Sequence, residues 1–231
     1  MTSPARNEPG PVPALPASSQ AEAARYALLR RLAPSMRHHL VVNLQPIGMI
    51  YEVMDRRLRA AAPDLPEIQD GAHKINGFAR AALGACLDMV TWLAPEEGAV
   101  TTVGEGVRES LGMLATSLTF RGFAVRNEVV PAPGEVRRSA VRNVLTAALI
   151  HVTDENSPPG ELVLTMEPDR SALVLALTLR PTDGDKGFAA EPQYRAIQWD
   201  DVQALAAAES VTLSRTGRQQ MRLSIPWAGS T

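Results

Sequence analysis

The sequence predicts an α+β protein in two parts. An antiparallel helical hairpin pairs with a second copy as a dimeric four-helix bundle, and an α/β-sandwich domain follows. Three observations predict this. Two long runs carry apolar residues every three or four positions, with only a short proline-marked break between them. Beyond residue 100 the pattern changes, and short alternating runs interleave with helical ones. Apolar residues make up 45% of the chain and aromatics 4%, with Ala and Leu abundant, a composition that can fill a core and favours helix.

In chain order, "MTSPARNEPGPVPALPASSQ" is rich in Pro, Ser and Ala without apolar periodicity, so residues 1–20 are expected to be a disordered tail. A helix is expected from Ala21 to about Ala61, with a stripe of Leu28, Leu32, Met36, Val42 or Asn43, Ile47, Ile50, Met54 and Leu58. "APDLPE" ends it with two prolines. A second helix is expected from near Pro66 to about Ala94, along Ile68, Ile75, Phe78 or Ala79, Ala82, Leu83, Leu87, Val90 and Leu93. So short a connection makes the hairpin antiparallel. One hairpin cannot bury both stripes, whereas two can, so residues 21–94 are expected to form a homodimer.

The second domain is expected over residues 103–228. "VGEGVRESLGMLATSLTFRG" reads as a helix ending at Gly122, "FAVRNEVV" as a strand, and "GEVRRSAVRNVLTAALIHVTDE" as an amphipathic helix. "ELVLTMEP" and "SALVLALTLR" read as strands joined by a tight turn from Pro168 to Ser171. "WDDVQALAAAES" is a short helix with Asp200 as its N-cap, and "VTLSR" with "QMRLSIPW" closes the chain as a hairpin. This order places helices on a mixed sheet.

Composition also excludes. A formal charge of -2 provides no basic excess for nucleic acid or an anionic membrane surface. The longest apolar run, "ALVLALTL", is strand-sized, far from the roughly 18 residues of a membrane span. One cysteine, Cys86, excludes an internal disulfide and fits a reducing cytoplasm; no signal-peptide core is present at the start.

The chemistry-bearing stretch is "RHHLVVNLQPI", Arg37 to Ile47, with two of the chain's four histidines followed by a proline within a helix. It resembles the "R-H-D-L-N-N-x-L-x-P-I" box of one subset of bacterial histidine kinases, and the "H-D-L" start shared with bundle-type histidine phosphotransferases. Spacing from His38 to Pro46 and Ile47 agrees without a gap. With the order of elements, the whole resembles a histidine kinase core: a dimerisation and phosphotransfer hairpin, then a degenerate ATP-binding domain of the GHKL type. The resemblance implies that His38 is the phospho-accepting, catalytic residue and that response-regulator receiver domains are the partners.

The departures bear on function. His39 replaces the acid that serves as general base, and Val41 and Val42 replace paired amides, of which the one at Val42 would orient water for dephosphorylation. Ala147 and His151 stand at the two asparagine positions of the magnesium and phosphate box, and alanine cannot ligate magnesium. "TDGDKG", Thr182 to Gly187, is the nearest stretch to the adenine loop but is wrongly spaced, and no glycine-rich lid precedes "WDDVQALAAA". No ATP, cofactor or metal binding is therefore expected. Two functions stay open: a histidine phosphotransferase relaying phosphoryl groups between receivers through His38 without ATP, or a catalytically silent pseudo-kinase dimer acting as an adaptor. An ATP-dependent kinase ranks behind both.

The remaining features have plain structural readings. His39 is expected to face the bundle, His151 to sit at a helix end favoured by the dipole, and His73 to lack a constellation. Arg137 to Arg142 reads as a solvated basic face, Asp183 and Asp185 as turn residues. Adjacent helical positions point about 100° apart, so His38 and His39 cannot chelate one metal within a chain. Pro46 removes a helix hydrogen bond to Val42, one turn before it, and loosens the helix after His38, where a partner could reach the ring.

Overall fold

The computed structural model describes residues 16–167, 169–188 and 194–229. Most of the expected tail, residues 1–15, and Pro168 of the expected turn lie outside the described residues.

Helix α1 (Ala17–Leu58) is 42 residues long and starts inside the stretch read as tail. Helix α2 (Leu65–Leu93) starts where Asp64 Oδ1 accepts the Glu67 N–H at 3.1 Å, with proline in the first turn. The two helices pack as a hairpin. Gly71 permits the close approach, because a Cβ there would lie 2.6 Å from Met54 Sδ. On their other faces both helices keep apolar residues in water: Val41, Leu44, Tyr51 and Leu58 on α1, and Leu65, Leu83, Leu87 and Val90 on α2. The N-terminal half of α1 is different. Ala21, Ala24, Leu28, Leu32 and Met36 are buried, and this half packs on α3 (Val103–Phe120) and α6 (Trp199–Ala208).

The second part is a five-stranded sheet in the order β2-β4-β5-β7-β6. Its strands are β2 (Phe123–Asn127), β4 (Gly160–Glu167), β5 (Ala172–Pro181), β6 (Thr212–Thr216) and β7 (Gln220–Pro226). β2 and β4 run parallel from Phe123↔Gly160, and every other pairing is antiparallel. Alternation along β5 puts Leu173, Leu175 and Leu177 on the inner face, where Leu162, Leu164, Leu223 and Ile225 join them in one core. A separate ribbon, β1 (Val100–Thr102) with β3 (Glu135–Arg137), was not anticipated, being three residues per strand.

Through this core runs a continuous helical rod: α4 (Arg138–Ala140), a π-helical stretch Val141–Leu145, and α5 (Thr146–Glu155). It starts after β3, so the expected amphipathic helix loses its first residues to a strand. The rod is buried on all sides from Ala140 to Thr153, which makes it a core helix. Two expectations change as a result. His151, read as a helix-end histidine, lies near the end of α5 but is only 1% exposed, and Arg142 is 3% exposed, so a fully solvated basic face does not describe it. The N-cap of α6 is Gln198, not Asp200; the Asp201 carboxylate accepts the Gln198 N–H at 2.8 Å and closes a capping box.

Candidate functional site

His38 is exposed on α1 and His39 half-buried, with ring centroids 6.4 Å apart and tilted by 51°. The two rings thus offer separate surfaces rather than one chelating pair. Two prolines, Pro34 and Pro46, stand within α1 on either side of the pair. Each lacks the N–H that would bond one turn back, so the carbonyls of Arg30 and Val42 lose their usual helical donors. The Asn43 side-chain amide donates to the His39 carbonyl at 2.9 Å, bracing the helix between the prolines.

His38 stands at a boundary. Ser35 is 7% exposed and Met36, part of the core, 9%, whereas His38, one turn beyond Ser35, is open. The domain is fastened above it by three ionic clusters. In the first, the Asp154 carboxylate, 5% exposed, accepts from Arg31 Nη1 and Nη2 of α1 at 2.5 and 2.8 Å, and from Arg121 Nη2 at 2.9 Å. In the second, buried Glu209 accepts from Ser139 Oγ at 2.8 Å and Asn143 Nδ2 at 2.9 Å, its backbone carbonyl accepts from Arg137, and Arg25 of α1 lies 3.7 Å from its carboxylate. In the third, Arg142 donates to Glu109 at 2.8 Å, and to Thr91 Oγ1 and Asp88 of α2 at 2.7 and 3.1 Å, with its guanidinium over the Trp92 ring. Burial pushes the Glu109 carboxyl up, but hydrogen bonds from Arg138 and Arg142 outweigh it and hold the group below the ordinary carboxylate value.

Both residues read as standing at asparagine positions of a degraded nucleotide site, Ala147 and His151, are buried. Ala147 is fully buried. His151 Nδ1 lies 2.8 Å from the Ile197 carbonyl, which can only accept, so the Nδ1 nitrogen carries the proton. Its Nε2 lies 3.4 Å from Arg215 Nη1 and 3.4 Å from Glu155, with the Trp199 ring against the imidazole. The Ile197 N–H donates to Asp154 at 3.1 Å. Both backbone groups of Ile197 are therefore held by α5, and its side chain is 1% exposed. Arg30 of α1 lies over the Tyr194 ring, 4.4 Å from its centroid, and ties the same segment to the hairpin.

The loop Thr182 to Gly187 folds against the end of α3. Gly187 N donates to Asp185 Oδ1 at 3.1 Å, and Phe188 N to the Phe120 carbonyl at 2.9 Å. Gly122 and Gly187 both take positive φ, +80° and +64°, and touch backbone to backbone, leaving no room for a side chain at either.

Sequence reasoning singled out His38 and left Asp154 unremarked. The available signal was the three-residue step from His151 to Asp154, which places both on one face of α5 near Ile197. Among the described residues no group of three or more His, Cys, Asp or Glu side chains could hold a metal ion. Among them, too, no helix is long and apolar enough to cross a membrane.

No family model matches this chain, and no curated protein matches it. Solved structures provide distant similarities. The histidine kinase AdeS of Acinetobacter baumannii is 13% identical with a TM-score of 0.43, over 80% of this chain and 98% of that one. A histidine kinase from Burkholderia phymatum is 13% identical with a TM-score of 0.43, over 92% and 97%. A bacterial phosphotransferase is 14% identical with a TM-score of 0.40, over 86% and 95%. Similarity at this level assigns no function.

Proposed function

We propose that this protein is a histidine phosphotransferase-like relay of two-component phosphorelay signalling, carrying phosphoryl groups between receiver domains through His38 without ATP. The observation that carries the reading is the contrast between an open His38 and a second domain fastened at three ionic clusters, in which His151 and Asp154 of α5 bind the backbone of Ile197. A kinase must bring a bound nucleotide to its histidine. A domain clamped to the hairpin is suited instead to receive a partner from outside.

The chemistry needs little else. The neutral imidazole of His38 attacks phosphorus of an aspartyl phosphate; a P–N bond forms, the P–O bond to the receiver carboxylate breaks, and that carboxylate leaves with the electron pair. The ring's other nitrogen releases its proton to solvent. The reverse sequence delivers the phosphoryl group to a second receiver. Two hairpins, paired through the exposed faces of α1 and α2, complete a four-helix bundle.

The test is incubation with phosphorylated receiver domains from the same cell. Acid-labile phosphate is expected on His38 and absent from His38→Ala, with no heat of binding for magnesium ATP by titration calorimetry. One observation favours a second reading, a silent adaptor dimer: His39, Val41 and Val42 leave no acid or amide beside His38. Unlabelled His38 with stable receiver binding would establish that reading.

A further inference from the structure

We draw no further inference here: the strongest candidate, the exposed apolar patch of Val42, Met49 and Val53 on the face of α1 that carries His38, has nothing in the structure to show what covers it.

Discussion

Replacing Asp154 with Ala should be among the most damaging single changes in the molecule. Its carboxylate is 5% exposed and accepts four hydrogen bonds, two from Arg31, one from Arg121 and one from the Ile197 N–H. Without it Arg31, 8% exposed, stays in the interface with no counter-charge, and Ile197 N loses its acceptor. Removing one partner of a buried pair costs about 3–5 kcal/mol. Arg121 is 22% exposed and can recruit water, which places the expected loss near the lower end, about 3 kcal/mol. For a chain of this size about 2–4 °C accompanies each kcal/mol, so Tm should fall by about 6–12 °C. Asp154→Asn keeps one acceptor but turns an amide N–H2 toward a guanidinium, and should lose about half as much. Urea unfolding followed by circular dichroism reads both variants. A loss below about 1 kcal/mol for Asp154→Ala, with the m-value unchanged, would show that the hairpin does not depend on this carboxylate.

Leu44→Glu or Leu83→Glu should convert the protein from dimer to monomer by light scattering while leaving helicity intact, because both side chains already face outward in the single chain; a monomeric parent protein would refute the bundle. His39→Ala, at a half-buried position, should lower stability by about 1 kcal/mol and leave labelling of His38 by phosphoramidate in place. Acid should loosen the clamp between α3 and the rod: Glu109 is held below its ordinary value of 4.5, so the unfolded chain binds more protons near that pH. The contribution is complete above that value and is lost as pH falls through the lower folded one, visible as a declining Tm in a pH series. Lys or Gln at Glu109 should abolish that part of the pH dependence.

By itself the sequence determined the helical hairpin and the switch to a mixed α+β order, both from local signals; the nomination of His38 came from the resemblance of "RHHLVVNLQPI" to a family box. Three- and four-residue periodicity, the prolines of "APDLPE" and the alternation in "ALVLALTL" act through backbone conformation and neighbouring side chains. The same local signals misplaced what depends on distant partners. Arg142 reads as solvent-facing beside Arg137 and Arg138, yet Glu109 of α3 and Asp88 and the Trp92 ring of α2 enclose it. His151 reads as a helix-end residue, yet Ile197, 46 positions later, supplies its hydrogen-bond acceptor. Tertiary structure alone decided that α1 continues back to Ala17, because its alanine-rich N-terminal half, weakly patterned in sequence, becomes a buried face once α6 lies against it. It also decided that His38 is exposed while Ser35, one turn before it, is buried, and that Asp154 joins Arg31 of α1 to Arg121. Ion pairs between residues more than a hundred positions apart leave no periodicity in a chain, because their geometry exists only after both helices have packed.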